Sequence, residues 1–521
     1  MLNFIKLSNS NKEELKNYYL RYHENVIPQL TYSDFTEFEL SGNRLGYEEK
    51  YFNRRRRLNS TFMMYIVFGE KYLNELCDLI WAVCDEFTWA LPAHTAAVTD
   101  AYRNIDLFNA ETAMCLTELS YILKDKLPPH IKDRILYEVN RRVILPYESG
   151  SFGWETARHN WAAVCGGCIG MIYLYNGLSV PKRIFDTLDC YISGFSDGAC
   201  LEGLNYWSYG FGYYMYFAEL LKRFTGKDIA ADNKVLDIAK FQQNMYLENG
   251  SVSCSDSIPD AAPLIGLTGL LCEYFKGKVF SPPVNAVRND DCGRWANYIR
   301  SYLYKPAMSN YISDEVFYPS SQWYIKHTEK YSIFIKGGNN DEPHNHNDVG
   351  SFIVSNSSGQ ILCDIGCGEY TADYFNPDTR YNYLCNSSLG HNVPIIDGKG
   401  QTAGKQYRCT EFIKDNNLIQ LEIDAYDDVH ISRRFELLND GIILYDTFNF
   451  DSNTVHSITE RFVSKIKPEI NHGKTYIGNM YISGIGKISS QTIHNHNGCE
   501  ETVYLIDFDV KENKFKGEFK L

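Results

Sequence analysis

Residues 344–354, with the sequence HNHNDVGSFIV, place a polar cluster directly before a run that is typical of a buried strand. On an extended chain, residues two apart face the same side, so we expect His344 and His346 to point together. A turn follows, and the next predicted strand carries Asp364. Two histidines and a carboxylate, drawn from this set and His391, can form a three-ligand zinc site with an open position. The remaining histidine would be free for proton transfer or substrate contact.

A second interpretation of these histidines stays open. Short His-x-His motifs recur by chance, and histidines near turns are often surface residues without a ligand. The chain contains another such motif, His494-Asn495-His496, which we interpret as a polar loop because the turn residues Asn497-Gly498 follow it.

Outward from this cluster, the chain changes character near residue 310. Before it, apolar residues recur at helical spacing, in stretches that include 62–84, 109–127, 131–145, 161–175, 183–195, 209–224 and 235–246. After it, short runs have period two and β-rich composition, at 331–336, 351–355, 360–365, 418–423 and 442–448. Asn439-Asp440-Gly441 is a strong hairpin signal. The pattern predicts a multidomain α+β protein, with helical hairpins arranged as an (α/α) toroid or solenoid over residues 1–310 and an antiparallel β-sandwich over residues 311–521.

Composition excludes several function classes. The net charge is −14, and the one dense basic run is Arg54–Arg57, so we expect no nucleic-acid partner. No apolar run reaches membrane-spanning length, and the first residues lack a secretory signal, so we expect a cytoplasmic protein that does not bind a membrane. The 15 cysteines are scattered, which favours free thiols. The aromatic content of 14% suits a sugar-binding cleft as well as ordinary packing, and a homo-oligomer is compatible with the sequence.

Two segments of the helical half carry polar and aromatic residues before predicted helices. Residues 158–167 read RHNWAAVCGG, and residues 197–210 read DGACLEGLNYWSYG. By residue type alone, Tyr206 and Tyr209 are as typical of a helix–helix seam as of an active site. The motif Cys165-Gly-Gly-Cys168, which begins in the first segment, lies in a predicted apolar helix, which favours two core thiols.

Taken together, the His-x-His-x-Asp segment, the strand ending in Asp-x-Gly, the later His-Asn and the two helical segments resemble the heparinase II/III group of polysaccharide lyases over roughly residues 60–450. The resemblance implies an N-terminal (α/α) toroid, a C-terminal antiparallel β-sandwich and one bound Zn²⁺. It implies the following roles: His346, Asp364 and His391 as zinc ligands, His344 as a residue facing the substrate, Tyr206 as the catalytic acid or base with Tyr209 in reserve, and His159 and Asn160 as contacts of the uronate carboxylate.

Such a lyase would cleave a uronic-acid-containing oligosaccharide or polysaccharide by β-elimination. The reaction removes the proton at C5 and expels the oxygen at C4, so the negative carboxylate must first be neutralised or hydrogen-bonded. His159 and Asn160 are the candidates, with Arg380 as a helper. Tyr206 and His344 are the candidate acid–base pair. The further substrate-binding candidates are Arg380, Tyr383, Tyr209 and Glu202.

Two alternatives share these residues. A uronyl C5-epimerase would abstract the same proton and return it from the other face. A catalytically inactive carbohydrate-binding protein would keep the fold without turnover.

Overall fold

The computed structural model describes residues 7–23, 26–95, 98, 101–306, 313–451 and 454–521. Among these residues, no helix combines the length and the apolar character needed to cross a membrane. The chain divides into two compact units, the first made of Met1–Phe195, Trp207–Ala239 and Ala262–Ser309, and the second of Ser196–Tyr206, Lys240–Ala261 and Asn310–Leu521. The predicted boundary between residues 310 and 311 lies among residues 307–312, outside the described residues.

The part of the chain before residue 301 is helical, as predicted. Its helices are α1 (Asn9–Tyr22), α2 (Tyr32–Ser41), α3 (Leu45–Phe68), α4 (Leu73–Cys84), α5 (Leu107–Leu123), α6 (Pro129–Val139), α7 (Leu145–Ser149), α8 (Asn160–Tyr175), α9 (Lys182–Ser193), α10 (Leu204–Thr225), α11 (Asn233–Asn244), α12 (Ile265–Tyr274) and α13 (Trp295–Arg300). A π-helical segment, Asn140–Ile144, joins α6 to α7.

The core of the first unit is built around α5 and α8, which are buried along almost their whole length. A Cβ atom on Gly167 of α8 would lie 2.9 Å from the carbonyl oxygen of Tyr213, so the missing side chain allows α8 and α10 to approach closely. Cys165 and Cys168 of α8 are buried, and burial raises the pKa of both thiols. They are core residues, in agreement with the sequence analysis.

Several predicted helix limits were wrong. The stretch 62–84 belongs to two helices that are separated at Gly69. The helix of the stretch 109–127 begins earlier, at Leu107, and Asp106 caps it, because its carboxylate accepts the Asn109 backbone N–H at 2.7 Å. The helix ends at Leu123, and Pro129 begins α6, where its missing N–H has no helical partner to lose.

The second unit consists of antiparallel sheets. Its strands are β1 (Glu315–Tyr318), β2 (Trp323–His327), β3 (Ser332–Lys336), β4 (Asn339–Asn340), β5 (Phe352–Asn356), β6 (Gly359–Leu362), β7 (Pro394–Ile396), β8 (Gly404–Asp415), β9 (Leu418–Tyr426), β10 (Val429–Leu438), β11 (Gly441–Phe450), β12 (Ile458–Ser464), β13 (Glu469–Asn471), β14 (Lys474–Ile477), β15 (Met480–Ser483), β16 (Lys487–His494), β17 (Glu500–Asp509) and β18 (Lys514–Lys520). The sheet orders are β1-β2-β3-β5-β6, β13-β14-β15-β18-β11-β10-β9-β8-β4 and β16-β17-β12-β7. A short helix, α14 (Ala372–Phe375), follows β6.

Local signals located these strands well. Leu438 pairs with Gly441, so Asn439-Asp440 forms the predicted two-residue turn between β10 and β11. Buried and partly exposed residues alternate along β10, as a strand with one face in a core requires. The strand that was expected to carry Asp364 ends two residues earlier, at Leu362.

Two segments from the helical part of the sequence belong to the second unit. In the 240–261 segment, the Asn249 backbone N–H donates to Ser355 Oγ at 3.2 Å, and Ser253 Oγ donates to the Asp364 carbonyl at 3.2 Å. In the 196–206 segment, Asp197 accepts hydrogen bonds from the backbone N–H groups of Ser320 and Ser321 at 2.8 and 2.9 Å. Tyr206 therefore lies in the second unit, although it is part of α10.

All 15 cysteines are free thiols, as expected, and Cys499 in the turn between β16 and β17 is the exposed one among them.

Candidate functional site

Three side chains from separate segments of the second unit converge in its interior. His346 lies between β4 and β5, Asp364 follows β6, and His391 precedes β7. One potential ligand atom from each residue lies within 4.8 Å of the other two, and all three residues are buried. The structure therefore brings together the three residues that were predicted to bind a metal.

The two imidazoles present nitrogen atoms that have no hydrogen-bond partner among the described residues, namely Nδ1 of His346 and both ring nitrogens of His391. Nε2 of His391 lies 3.9 Å from Oδ2 of Asp364 and 4.0 Å from Oδ2 of Asp348. Burial lowers the pKa of His391, which keeps the ring in the neutral form that binds metals. Leaving buried polar atoms without a partner is costly. Two imidazoles and one carboxylate thus fit a Zn²⁺ ion, in number and in chemistry.

Asp348 is the neighbouring carboxylate. Its Oδ1 accepts from the buried Nζ of Lys336 at 2.6 Å, so its negative charge already has a counterion. No lysine or arginine of the described residues forms an ion pair with Asp364. A cation bound between the histidines would supply the charge that balances it.

Asp256, which was not among the predicted site residues, joins the candidate metal ligand His346 to His344. Oδ1 of Asp256 lies 3.2 Å from Nε2 of His346, and Oδ2 lies 2.8 Å from Nδ1 of His344. The same carboxylate accepts hydrogen bonds from the Tyr374 hydroxyl at 2.6 Å and from Nη2 of Arg380 at 3.1 Å. Asp256 lies in a run of small polar residues, 251–257, which is typical of a loop and contains no motif.

The charge of Asp256 decides how both histidines are oriented. Burial alone would raise the pKa of Asp256, but hydrogen bonds from His344 and His346 and the charge of Arg380 hold it well below the usual range. The ionised carboxylate accepts from both imidazoles, so His344 donates through Nδ1 and His346 donates through Nε2. His346 therefore keeps the lone pair of Nδ1 for a metal, in the carboxylate–histidine arrangement that is common at zinc sites.

His344 does not lie on an extended chain, and that expectation was wrong. Its φ is +57°, in the left-handed region, and the Asn345 backbone N–H donates to the Glu342 carbonyl at 3.1 Å across the turn. The half-buried ring of His344 and the buried ring of His346 nevertheless contact the same carboxylate, that of Asp256. Nε2 of His344 lies 3.6 Å from Oε1 of Glu202.

Tyr206 stacks on His344. Their ring centroids are 4.3 Å apart with an interplanar angle of 26°, and the Tyr206 hydroxyl lies 3.1 Å from the Tyr370 hydroxyl. Burial, followed by the charge of Asp256, raises the pKa of Tyr206 well above the usual value. The Tyr206 phenol is consequently protonated at neutral pH.

Two other predicted substrate contacts, Arg380 and Tyr383, also lie in the second unit. Arg380 is committed to internal partners, since Nη2 contacts both oxygens of Asp256 and the Asn345 carbonyl at 3.1 Å each. Tyr383 is half-buried, and its hydroxyl lies 3.2 Å from Thr371 Oγ1. Arg380 therefore stabilises the site through its hydrogen bonds to Asp256 and to the Asn345 carbonyl.

The remaining predicted site residues belong to the first unit. His159 is the N-cap residue of α8, and Asn160 is its buried first residue. The Tyr209 hydroxyl donates to Glu111, and the guanidinium of Arg294 lies 3.9 Å from the Tyr209 ring centroid. Because Glu111 holds its hydroxyl, Tyr209 is less suited than Tyr206 to exchange a proton with a substrate.

Comparison with known proteins identifies the region that contains the three converging residues. Residues 313–515 match the family model described as heparinase II/III-like, C-terminal. The chain carries a heparinase II/III-like C-terminal domain. The resemblance inferred from the His-x-His-x-Asp segment is thus confirmed. His344, His346, Asp364 and His391 lie inside this heparinase II/III-like region, whereas Tyr206 and Asp256 precede it.

Solved structures of lyases share the fold over nearly the whole chain. A heparinase III structure has a TM-score of 0.63 at 12% identity, covering 99% of this chain and 92% of that one. A mutant of the heparan sulfate lyase HepC from Pedobacter heparinus has a TM-score of 0.60 at 10% identity, with 99% and 83% covered. The chondroitin AC lyase from Streptomyces coelicolor A3, in complex with chondroitin sulphate, has a TM-score of 0.56 at 9% identity, with 98% and 83% covered. No curated protein matches the chain at the level of sequence. Identities this low show a shared fold alone, that of a polysaccharide lyase.

Proposed function

We propose that this protein is a polysaccharide or oligosaccharide lyase that cleaves a uronic-acid-containing glycan by β-elimination. The observation that carries the proposal is the stacking of Tyr206 on His344, whose Nδ1 is held at 2.8 Å by the buried carboxylate of Asp256. This arrangement places a phenol and an imidazole nitrogen side by side, as acid–base catalysis on one sugar ring requires.

The hydrogen bonds favour one division of roles. Because Nδ1 of His344 donates to Asp256, Nε2 is the ring nitrogen that is left to accept the C5 proton. The raised pKa of Tyr206 makes its hydroxyl a proton donor, suited to protonating the oxygen that leaves C4. We therefore assign His344 as the base and Tyr206 as the acid. Glu202 lies near Nε2 of His344 and would orient the ring or contact the sugar.

A Zn²⁺ ion would be held by His346, Asp364 and His391. When bound, the ion would supply a fixed positive charge and hold together the segments that carry these residues. It need not activate water, since no water is added to the substrate. Asp256 contacts both His346 and His344, so ordering of the metal-site histidine also orders the base.

The substrate carboxylate needs a partner that stabilises the enolate-like transition state. His159 and Asn160 at the start of α8 are the residues we propose for this contact. The substrate class we propose is an acidic glycan of the glycosaminoglycan or alginate type, because the similar structures include a heparan sulfate lyase and a chondroitin AC lyase. We also propose that the helices form an (α/α) toroid and the sheets a β-sandwich, the architecture that the resemblance implies.

The test is the ultraviolet absorbance of the unsaturated uronate, followed while the purified protein is incubated with a panel of uronate oligosaccharides. Tyr206→Phe and His344→Ala are the informative variants. Tyr214→Phe is the matched control, because it removes a buried hydroxyl from the same helix, where it donates to the Ile229 carbonyl at 2.9 Å.

We expect the absorbance to rise for wild type and Tyr214→Phe, and to stay flat for the other two variants. A flat wild-type trace across a broad panel would contradict the lyase assignment. Solvent deuterium incorporation at C5 without absorbance would instead identify an epimerase.

A further inference from the structure

A buried arginine, Arg433, is hydrogen-bonded to two of the segments that carry the candidate metal ligands. Arg433 occupies a core-facing position of β10, where the alternation along the strand otherwise places Val429, Ile431, Phe435 and Leu437. Its side chain is inaccessible to solvent, as are those of its partners Asp446 and Glu460. A charged group is rarely buried so completely unless several groups satisfy it.

Each of the five N–H donors of the Arg433 guanidinium has a partner. Nε and Nη2 donate to the two oxygens of Asp446 at 3.0 and 2.8 Å, and Nη2 also donates to Glu460 at 2.6 Å. The two N–H groups of Nη1 donate to the backbone carbonyls of Gly350 and Asn392, both at 2.9 Å. Gly350 lies four residues after His346, and Asn392 directly follows His391.

Asn392 fixes the third segment of the site to the other two. Its Nδ2 donates to the Phe352 carbonyl at 2.6 Å and to the Cys363 carbonyl at 3.2 Å, and its Oδ1 accepts the Val463 backbone N–H at 2.7 Å. Cys363 is the residue before Asp364. Arg433 and Asn392 together therefore contact the backbone one residue from Asp364 and His391 and four residues from His346.

We propose that Arg433 and Asn392 are positioning residues that set the spacing of the metal ligands before the metal binds. The inference deepens the proposed function, since it rests on a metal site at His346, Asp364 and His391. Arg433 extends from β10 and is held by Asp446 on β11 and Glu460 on β12, so the support comes from two sheets of the second unit. The ligand loops are thereby tied to strands that carry no ligand themselves.

The geometry requires arginine and not only a positive charge. A guanidinium spreads its donors over a planar fork, so one side chain reaches a carboxylate and two carbonyls on different segments. A lysine at this position would keep the charge but could not span the same set. Gly350, whose carbonyl accepts from Arg433, has φ +87°, and a Cβ there would lie 2.6 Å from Cδ1 of Ile423, so this position favours glycine.

The experiment measures Zn²⁺ affinity of the full chain by competition with a chromophoric chelator, after the metal has been stripped. The variants are Arg433→Lys, Asn392→Ala and His391→Ala. Arg300→Lys is the matched control, since Arg300 is also buried and donates to Glu118 at 2.8 Å, but lies in the first unit. Circular dichroism and a single unfolding transition establish that each variant is folded. The absorption spectrum of bound Co²⁺ reports the ligand geometry independently of activity.

We expect Arg433→Lys and Asn392→Ala to weaken Zn²⁺ binding by about 10- to 100-fold and to alter the Co²⁺ spectrum, which is the usual effect of removing groups that orient metal ligands. Arg300→Lys should bind Zn²⁺ like the wild type. Wild-type affinity and spectrum in both variants would overturn the positioning role. If Arg433→Lys fails to fold, Asn392→Ala decides alone.

The failure of the proposed metal site has a different signature. A wild type that binds no Zn²⁺, or binds it as well as His391→Ala does, would refute the site itself, whatever Arg433→Lys shows.

Discussion

Replacing Asp256 by asparagine keeps the size of the side chain and removes its charge. Asp256 uses both oxygens, Oδ2 for His344 and Oδ1 for His346 and Tyr374. An amide has only one acceptor oxygen, so one of the two histidines must face an N–H group and lose its hydrogen bond or change its tautomer. We therefore expect Asp256→Asn to impair proton transfer by His344 and the binding of metal by His346 together.

The magnitudes follow from burial. Asp256 is fully buried and pairs with Arg380, and removing one partner of a buried ion pair costs about 3–5 kcal/mol of folding free energy. A histidine base held in the wrong tautomer loses roughly 10³- to 10⁴-fold in kcat. Loss of the carboxylate behind His346 should weaken Zn²⁺ affinity by about 10- to 100-fold. KM should change little, because Asp256 faces the histidines.

The assay compares kcat, KM, Zn²⁺ affinity and urea denaturation of Asp256→Asn and Asp197→Asn. Asp197 is a suitable control because it also accepts hydrogen bonds in the second unit, from Ser320 and Ser321, and forms no hydrogen bond with His344 or His346. If Asp256→Asn retains wild-type kcat and Zn²⁺ affinity, the reasoning on the coupled histidines is refuted.

Three further predictions address the rest of the chain. Burial raises the pKa of Glu111 from 4.5 to about 7, so the stability that Glu111 contributes is complete below pH 4.5 and is lost as the pH rises through 7, by about 3 kcal/mol in total. The melting temperature should therefore decrease less between pH 5 and pH 8 for Glu111→Gln than for the wild type, and an equal decrease would contradict this. Gly350→Ala should lower the free energy of unfolding, measured by urea denaturation, by about 1–3 kcal/mol more than Gly398→Ala does. Both glycines have positive φ, but only at Gly350 would a Cβ clash with Ile423. Equal losses of free energy would show that the packing there is not tight. His391→Ala should abolish the increase in melting temperature that Zn²⁺ gives the wild type, and a retained increase would show that zinc binds elsewhere.

Features that depend on neighbouring residues in sequence were predictable. The Asn439-Asp440 turn selects its hairpin locally, and the β-rich runs around it form the expected antiparallel strands. The convergence of His346, Asp364 and His391 was predicted from a family resemblance and not from spacing alone. The same resemblance singled out Tyr206, which stacks on His344 in the structure.

The features that could not be predicted depend on contacts between residues that are far apart in the sequence. Asp256 lies 88 residues before His344 in a loop without a motif, so only the folded chain shows that they touch. The backbone of His344 turns into the left-handed region, which a His-x-His pattern on an assumed strand does not reveal. Arg433 occupies one of the alternate positions of β10 that are otherwise apolar, which the local sequence does not explain. Only the folded chain shows its partners, which are Asp446, Glu460 and the carbonyls of Gly350 and Asn392.

The exposed Cys499 offers a covalent handle for a reporter dye. The other cysteines are buried or partly covered, and burial raises the pKa of many of them, so maleimide labelling of the native protein should modify Cys499 first. Its turn is close to the site, because Asn495 forms a bridge with Gly368 and the ring centroid of His496 lies 4.4 Å from that of Tyr370, whose hydroxyl contacts Tyr206. A single fluorophore at this turn would follow saccharide binding in real time, in variants that no longer turn over.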